Sequence, residues 1–507
     1  MNEQRSADRL ADEPPPSSSI RPQAVVLLIL VAALGRLVWV LFSYYLELGA
    51  RRHHLESAWI LFSGVALLEV IIRARSDAIT RRGNASALSS TSWLVAALAA
   101  SIILYWPSLS IGLLSDDFVL LHRGPFIDGW GFFRPLPLAI WQLVFPVAGA
   151  TGLHLLNVVL HGVNTWLLYL LLMGVGVRAR ARGIAAALFL TFPASVEAVA
   201  WSSGVFDVAL VCFGLIYLIA ATRRSKSSRA AGAIALVSAL LTKETAVALP
   251  IMALFLGLRL RIDRGLVVGS IAVVAAYALV RLVVGIEVPG PEGPWSYVLK
   301  ELVARPFAAL AVPWTVREVR AAPFLLAVGP QLAIAGLAAG YAGSRHVTRS
   351  AIVPLLWIVA AVAPLYGLFV IGDELSGSRY LYLPLLGWCL LLADLIQGQF
   401  RTWGRRLGTA LVIVAVTMGA PGVRTHLRPW IAAAELRDSV LEEAGAAVRR
   451  SSCAEPEFLR LPDTVDGAFV FRNGFPEALA GQVGLSPSPS ASPECTFVWS
   501  GTTFSGR

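Results

Sequence analysis

Charged residues are scarce in this sequence. Asp, Glu, Lys and Arg account for 15% of the 507 residues, whereas 56% are hydrophobic. Soluble globular domains average about 25% charged residues, so the composition argues against a soluble multidomain protein. Repeated apolar runs of roughly 15–22 residues instead predict a polytopic bundle of transmembrane helices. The formal net charge of +10 is then attributed to basic cytoplasmic loops, and no nucleic-acid partner is expected.

Several common functional signatures are also missing. The sequence contains no Gly-rich phosphate loop, nucleophile elbow, strong metal-ligand spacing, internal repeat or tetratricopeptide tail. A nucleotide bound in the cytoplasm is therefore disfavoured as a substrate. A cleavable signal peptide is not expected, because the first apolar run has full transmembrane length and lacks a convincing cleavage site.

The four cysteines fall into two kinds of segment. Cys212 and Cys389 lie inside apolar runs and are expected to be inert packing residues. Cys453 and Cys495 lie in the polar C-terminal region. We expect them to form a disulfide if that region faces an oxidising compartment.

The apolar runs divide the chain into four regions. Residues 1–22 are predicted to be a disordered cytoplasmic tail, 23–91 two extra transmembrane helices, 92–421 an all-α transmembrane catalytic domain, and 422–507 a small extracytoplasmic cap with short strands. About 13 transmembrane helices are expected on length and hydropathy. They are 24–46, 57–73, 92–112, 153–174, 183–196, 203–221, 230–242, 245–258, 265–285, 322–342, 350–371, 379–397 and 406–421.

Two further segments, 128–149 and 295–320, mix charged, aromatic and apolar residues. They are expected to lie at the outer membrane interface or to be re-entrant, rather than to cross the membrane. With that assignment, six clusters of basic residues share one face of the bundle. The positive-inside rule makes this face cytoplasmic, which places the N-terminus inside and the C-terminus outside. The clusters are Arg73 to Arg82, Arg178 to Arg182, Arg223 to Arg229, Arg259 to Arg264, Arg345 to Arg349 and Arg401 to Arg406.

The stretch Ser115-Asp116-Asp117-Phe118 stands where a long apolar run ends. Adjacent carboxylates beside a membrane span are costly, which favours a functional role. Asp116 and Asp117 are candidates for a general base, a metal site or both, because like charges in contact hold one proton more tightly. The alternative is a helix cap with solvated charges. His122 is a further candidate ligand for a divalent cation, although its spacing matches no strong metal motif.

His154, Asn157 and His161 recur at i, i+3 and i+7, so they share one helix face. A polar stripe on a membrane helix normally faces the protein interior. Interhelical hydrogen bonding is the favoured explanation, and a role in substrate binding or catalysis is the alternative.

Glu197 closes a predicted hairpin on the outer face and has apolar flanks. We expect it to position a substrate hydroxyl or to support a metal, unless it is merely solvated. Lys243 and Glu244 interrupt two apolar runs on the same face. Either they pair with each other, or Lys243 binds an anionic lipid phosphate as a compact cation.

The last cluster on the outer face comprises Asp373-Glu374 and Gly377 to Tyr382. Arg379 is expected to hold a phosphate by paired, charge-assisted hydrogen bonds, with Tyr380 and Tyr382 as further substrate-binding residues at the membrane interface. The alternative is an aromatic belt with an Arg whose side chain reaches toward the interface.

The ordered set of these motifs resembles the GT-C superfamily of membrane glycosyltransferases, especially protein O-mannosyltransferase-like members. The resemblance covers about residues 92–400, and it is the order of the motifs rather than any one of them that is specific. They are Asp116-Asp117-Phe118, Phe133-Arg134-Pro135-Leu136, His154 through His161, Pro193 to Glu197, Lys243-Glu244 and Ser378 to Tyr382.

The resemblance implies a GT-C-type bundle and a polyprenyl-phosphate-linked sugar as donor. The acceptor would be a hydroxyl of a protein, lipid or glycan, on the outer side of the membrane. The Ala-, Arg- and Gly-rich composition and the compact loops favour a prokaryotic plasma membrane. Asp116 or Asp117 would be the base, with Lys243 and Arg379 near the donor phosphate and Arg134 among the substrate-binding residues. The chain departs from the eukaryotic pattern by having Asp-Asp instead of Asp-Glu, and by lacking a His in Phe192-Pro193-Ala194-Ser195. Both departures leave the sugar and the acceptor open.

Two other functions remain open at this stage. A lipid-linked glycan flippase or transporter would need charges near the bilayer midplane and often has inverted repeats. A polysaccharide polymerase or ligase would act on the same face with a lipid diphosphate leaving group.

Overall fold

The computed structural model describes residues 86–123, 133–283, 305–314, 352–365, 371–372, 374–397, 402–451, 456–483 and 495–506. The described part is mostly helical, with a small β-region near the C-terminus. The predicted spans 24–46, 57–73 and 322–342 lie outside the described residues, as does much of the segment 295–320.

Between residues 133 and 283 the helices are joined by short connections, several of them 3₁₀ turns. They are α1 Ser86–Tyr105, α2 Asp116–Arg123, α3 Pro135–Gly174, α4 Ala179–Leu190, α5 Val196–Ala200, α6 Val205–Ala221, α7 Lys226–Leu240, α8 Leu249–Leu256, α9 Arg264–Val283, α10 Arg305–Ala311, α11 Ile352–Val362, α12 Pro384–Gln397, α13 Thr402–Ser451 and α14 Phe475–Val483.

Within the described ranges, four helical segments are long and apolar enough to cross a membrane. They are Thr91–Ser110, Pro135–Gly174, Ser202–Ala221 and Arg264–Val283. A fifth is obtained if α4 and the bent segment after it, Pro193–Ala200, form one broken span. The segments are consistent with a membrane protein, and the predicted number of about 13 rests on the sequence alone.

The predicted interfacial segment 128–149 is helical from Pro135 onward and joins α3. The two parts meet at Gly149, whose backbone has φ 60° and ψ −159° and therefore breaks the helical path. Leu143 and Val147, in the first part, are exposed apolar side chains. This exposure suits contact with lipid, and the interfacial location itself stays a prediction.

The helix α6 lies at the centre of the bundle. It packs against α3 on one side and α7 on another, and most of its apolar residues are buried. At its C-terminal end, the amide of Asp263 donates to the carbonyl of Ala221. Arg229 pairs with Asp263, and Arg259 pairs with Asp394. Two of the basic residues predicted to be cytoplasmic are thus held by acidic partners, and the Arg229 pair lies at this end of α6.

The helix α13 is longer than the sequence analysis predicted. It continues to Ser451, although the last span was expected to end at 421 and the cap to begin at 422. Its apolar side chains recur every three or four residues and are buried, as Val423, Leu427 and Trp430 illustrate. The cap therefore begins about 30 residues later, because an amphipathic helix can continue beyond an apolar span while one face remains packed.

The C-terminal domain contains two small sheets. In the first, β1 (Pro456–Leu459) runs parallel to β4 (Cys495–Trp499), which pairs antiparallel with β5 (Phe504–Gly506). The second is a hairpin of β2 (Thr464–Val465) and β3 (Ala468–Phe469). The short strands predicted for the C-terminal region are therefore present.

The hairpin of β2 and β3 turns at Asp466 and Gly467, which both have positive φ. Asp-Gly is favoured in such two-residue hairpin turns because both positions need left-handed backbone. The Gly467 position also faces the backbone of Glu374, where an added Cβ would lie 2.9 Å from the carbonyl oxygen. The tip of the hairpin is therefore packed tightly against the loop that precedes Arg379.

Cys495 in β4 is disulfide-bonded, while Cys212 and Cys389 are buried free thiols. Cys453 lies outside the described residues. The pairing of Cys453 with Cys495 stays a prediction.

Candidate active site

Asp117 is completely buried at the start of α2. Its Oδ2 accepts a hydrogen bond from the amide of Leu114 at 2.9 Å, and its Oδ1 accepts from the amide of Ser203 at 3.0 Å and from the Ser203 hydroxyl. Burial raises the pKa of the Asp117 carboxyl to about 7, against the lowering effect of these hydrogen bonds. Both of its oxygens are thus used to fix the chain around the motif.

Asp116 has a different environment from its neighbour. It is only partly buried, and its Oδ1 accepts a hydrogen bond from the side-chain amide of Asn473 at 2.6 Å. Asn473 belongs to the C-terminal domain and is exposed. Of the two carboxylates, Asp116 is therefore the one that a substrate can approach.

The residue before the pair, Ser115, has φ 50° although it is not glycine. Left-handed backbone costs roughly 1–2 kcal/mol for such residues and is often retained near functional sites. The amide of Ser115 donates to the carbonyl of Val470 at 3.0 Å, so the C-terminal domain holds this conformation.

The structure does not bring Asp116, Asp117 and His122 together as one set of metal ligands. His122 is exposed on α2, and both oxygens of Asp117 already accept hydrogen bonds. Among the residues that the structure describes, no group of three or more His, Cys, Asp or Glu side chains could hold an ion.

Glu197 is buried in α5 and pairs with Arg379, which lies 182 positions later in the sequence. Arg379 Nη1 donates to Glu197 Oε1 at 3.1 Å, and the Ser378 hydroxyl donates to Oε2 at 3.3 Å. The guanidinium lies 4.7 Å from the centre of the Trp201 ring and 5.1 Å from that of Tyr380. In this stacked position 20% of the Arg379 side chain stays exposed, so part of its planar set of N–H donors remains accessible.

Lys243 and Glu244 do not pair with each other. Lys243 Nζ donates to Asp207 at 2.6 Å, and both side chains are less than 10% exposed. Glu244 accepts two hydrogen bonds from Arg134, at 2.7 and 3.1 Å. The reason is local: Lys243 has an extended backbone and Glu244 begins a 3₁₀ turn, so the two side chains point in different directions.

Tyr380 lies between the two cations predicted to bind phosphate. Lys243 Nζ is 5.0 Å from the centre of its ring, and the Arg379 guanidinium is 5.1 Å away. Cations contact aromatic faces favourably when they are desolvated. The structure therefore brings Lys243 and Arg379, which are 136 positions apart in the sequence, to one aromatic side chain.

Trp201 connects this cationic group with the aspartate pair. Its indole Nε1 donates to the carbonyl of Leu114 at 3.3 Å, while its ring contacts Arg379 and Phe469. The aspartate motif, Glu197, Arg379 and the C-terminal domain thus meet around one tryptophan.

The polar stripe on α3 is used between helices. His154 lies within 2.9 Å of the carbonyls of Gly112 and Ala200, and Asn157 Nδ2 donates to the carbonyl of Trp201 at 2.7 Å. The favoured explanation for this stripe, interhelical hydrogen bonding, describes these contacts. The stripe affects the site indirectly, because the carbonyls that its side chains contact belong to the segments that carry the aspartate pair and Trp201.

His161 completes the stripe and contacts Tyr382. His161 Nε2 lies 3.0 Å from the Leu190 carbonyl, and Nδ1 lies 2.6 Å from the Tyr382 hydroxyl. Because a carbonyl can only accept, Nε2 carries the proton and Nδ1 accepts from the tyrosine. Asn164 also donates to this hydroxyl at 3.3 Å. Tyr382 is buried, unlike the half-buried Tyr380, so its predicted place at the membrane interface is wrong.

A small cavity opens beside Glu197, with a volume of about 30 Å³, which is room for little more than a water molecule. It lies between the loop at Glu374 to Ser378, the hairpin turn at Asp466 and Gly467, and α13 near His426 and Trp430. Carboxylates and a tryptophan line this space, which suits a hydroxyl-bearing group better than an anion.

Several residues of this site were not selected from the sequence. Asp207 is the clearest case, since an acid inside an apolar span was itself a signal of a buried partner. Ser203, Asn164 and Asn473 gave no comparable signal, because their roles depend on contacts with segments distant in the sequence.

The comparison with known proteins is consistent with this arrangement. The chain is 34% identical over 179 residues to "Protein O-mannosyl-transferase Tmtc1" of Drosophila melanogaster. The match covers 29% of this chain and spans only 21% of that relative's length, and it supports a glycosyltransferase-like family. No family model and no solved structure matches the chain.

Proposed function

We propose that this chain is a GT-C-type integral-membrane glycosyltransferase that moves a sugar from a polyprenyl-phosphate donor to an acceptor hydroxyl. The observation that carries the proposal is the meeting of the motif residues around Trp201 and Tyr380. Lys243 and Arg379 both lie against the ring of Tyr380, and Arg379 also lies against Trp201 and pairs with Glu197. Trp201 donates to the carbonyl of Leu114, two residues before Asp116. The similarity to an O-mannosyl-transferase supports the same reaction class.

Asp116 is the proposed general base. It is the accessible carboxylate of the pair, whereas the oxygens of Asp117 are occupied by Leu114 and Ser203. A base must reach the proton that it removes. Asp116 would take the proton from the acceptor hydroxyl as its oxygen attacks the anomeric carbon, and the bond between that carbon and the phosphate oxygen would break with inversion.

Arg379 and Lys243 are the proposed contacts of the donor phosphate. Charge develops on the phosphate as it leaves, and fixed cations in a desolvated site stabilise that charge. Both cations already have acidic partners, Glu197 and Asp207, which hold them in place before the donor binds.

The proposed location is the extracytoplasmic face of the plasma membrane, with the N-terminus inside. Lys243 and Asp207 lie at the N-terminal end of α6. The ion pair of Arg229 lies at the other end, where Asp263 bonds to Ala221. Opposite ends of one apolar helix suit opposite sides of a membrane.

The test uses the purified full chain in lipid with a panel of polyprenyl-phosphate sugars. The readout is release of free polyprenyl phosphate. Asp116→Asn should reduce transfer by about 10²–10⁴-fold, the usual contribution of a general base, while donor binding persists. The matched control is Asp463→Asn, which removes an exposed carboxylate of the C-terminal domain. Turnover by Asp116→Asn at the wild-type rate would refute the catalytic assignment, and no turnover of any donor would refute the donor class.

A further inference from the structure

The loop that leads into the aspartate pair is held by its backbone carbonyls. Four consecutive carbonyls, from residue 111 to 114, each lie within hydrogen-bond distance of a side chain from another element. Arg437 Nη1 donates to the carbonyls of Ile111 and Leu113, both at 2.7 Å. His154 Nε2 is 2.9 Å from the Gly112 carbonyl, and Trp201 donates to that of Leu114.

Arg437 is unusual among these side chains because it is a buried cation. It belongs to α13, and only 10% of its side chain is exposed. Its carboxylate partner is the adjacent residue Asp438, at 2.7 Å, whose side chain is 68% exposed. Burying a guanidinium costs several kcal/mol unless its hydrogen bonds are satisfied. Here the loop carbonyls satisfy them.

Gly112 shows that the loop and the guanidinium are fitted to each other. Gly112 has φ 73°, and a Cβ at this position would lie 2.8 Å from Arg437 Nη1. Any other residue would therefore displace the guanidinium as well as adopt a disfavoured backbone. The glycine allows Arg437 to reach the carbonyls on both sides of it.

We propose that Arg437 is a positioning residue that fixes the 111–115 loop so that Asp116 is presented to the substrate. The strained Ser115 is the last residue of this loop, and its conformation persists only if the surrounding contacts determine it. Arg437 holds the loop from α13, and the C-terminal domain holds it through Val470 and Asn473. The proposal rests on the proposed function for its effect on catalysis, although its effect on the loop can be measured separately.

The experiment compares Arg437→Gln and Arg437→Lys with the wild-type chain in lipid. Arg449→Gln is the matched control, since Arg449 is an exposed residue of the same helix. Hydrogen exchange is measured on peptides that cover residues 111–118. Amides of Leu114, Ser115 and Asp117 are hydrogen-bonded in this region. In Arg437→Gln they should exchange at least about tenfold faster because the local opening free energy falls, while α6 keeps its protection.

Transfer kinetics supply the second readout. A loosened loop should reduce kcat by about 10- to 100-fold, the scale of small misplacements of reacting groups, with an unchanged donor KM. Arg437→Lys should lie between Gln and wild type in both measurements, because an ammonium lacks the planar fork. If Arg437→Gln fails to fold, Arg437→Lys alone still tests the proposal.

Unchanged exchange at 111–118 in Arg437→Lys, together with wild-type kcat, would overturn the proposal. Faster exchange with no turnover by any form of the chain would leave the positioning role intact and refute the proposed function. Faster exchange with a normal kcat would show that Arg437 stabilises the loop without positioning Asp116, and would also overturn the proposal.

Discussion

Lys243 and Asp207 form a buried ion pair, with 2.6 Å between the ammonium nitrogen and the carboxylate oxygen. The two residues come from different helical segments, and their side chains are 3% and 8% exposed. A charge in such a place is tolerated only with its partner, because neither group can be solvated by water. The pair therefore ties the segment after α7 to the start of α6 and fixes the cation beside Tyr380.

Lys243→Met should destabilise the protein by about 3–5 kcal/mol, since it leaves the Asp207 carboxylate buried and unpaired. The double variant Lys243→Met with Asp207→Asn should recover part of that loss. Thermal unfolding of the two single variants, Lys243→Met and Asp207→Asn, and of the double variant in detergent gives the coupling between the two sites. Arg450→Met is the control, because Arg450 and its partner Glu443 are 67% and 33% exposed, and the loss of such a pair should cost only about 0–1 kcal/mol. Additive effects of the two single substitutions at Lys243 and Asp207 would contradict the coupling.

The sequence was sufficient to select Asp116, Glu197 and Arg379, because charged residues between apolar runs are costly unless they have a role. The sequence alone does not identify the residues that bond to these three side chains. Lys243 has an acid next to it in the sequence, yet it reaches Asp207 because its extended backbone turns the side chain away from Glu244. Partner choice depends on how distant helices pack, and one sequence does not contain that information.

The length of α13 shows a different limitation. The apolar run ends near 421, and the sequence becomes more polar from about Gly422, so a domain boundary was expected there. The buried residues Val423, Leu427 and Trp430 nevertheless keep a helical period. That period was a usable signal, although it indicates only one packed face and does not identify Arg437 as the residue that contacts the loop.

Asp117 should make stability depend on pH between about 4 and 7. Its ordinary pKa of 3.8 applies to the unfolded chain, and burial raises the pKa to about 7 in the folded protein. The folded state therefore binds more protons in this window, and stability falls as the pH rises through it. Above pH 7 the group is ionised in both states, and its effect on stability becomes constant.

Asp117→Asn removes this dependence because the amide does not titrate. The measurement is the thermal midpoint of the variant and of the wild type across pH 4 to 8 in the same detergent. The difference between them should shift in favour of the variant as the pH rises toward about 7. Asp463→Asn, at an exposed carboxylate, controls for the general effect of charge removal. Parallel curves for Asp117→Asn and wild type would contradict the raised pKa.

Tyr382→Phe should affect stability rather than donor affinity. The variant removes a buried hydroxyl that bonds to His161 and Asn164. Leaving those groups without a partner costs about 1–3 kcal/mol. The donor KM should stay constant if Tyr382 acts only between helices, and an increase in KM without loss of stability would instead support the predicted substrate contact.

Tyr380 provides the matched comparison. It is half-buried, its ring contacts Lys243 and Arg379, and its hydroxyl accepts a long hydrogen bond from Arg379 Nη2 at 3.4 Å. Tyr380→Phe should keep the ring contacts, lose only this long hydrogen bond and have a small effect, whereas Tyr380→Ala should raise the donor KM because both cations lose the surface against which they pack. Equal effects of Phe and Ala would indicate that the hydroxyl matters instead.

The disulfide of Cys495 tests both the cap and its location. Cys495 is disulfide-bonded, and Cys453 is its expected partner from the sequence. Mass spectrometry of a non-reduced digest should find one peptide that links these two residues. Cys212 and Cys389, which are buried and free, should be alkylated only after unfolding. Free thiols at both Cys453 and Cys495 in protein isolated from membranes would contradict the bond and remove its support for an extracytoplasmic cap.

Reduction of this bond should also weaken the aspartate site. A native disulfide of this kind contributes about 2–4 kcal/mol, and β4 is part of the domain that supplies Val470 and Asn473 to the loop at Ser115 and Asp116. Cys495→Ser should therefore lower the thermal midpoint and reduce transfer. Cys389→Ser, at a buried free thiol, is the control that distinguishes loss of the bond from loss of a cysteine. If Cys495→Ser lowers stability but leaves transfer at the wild-type rate, the C-terminal domain does not hold the loop in the way that the Ser115 and Asp116 contacts indicate.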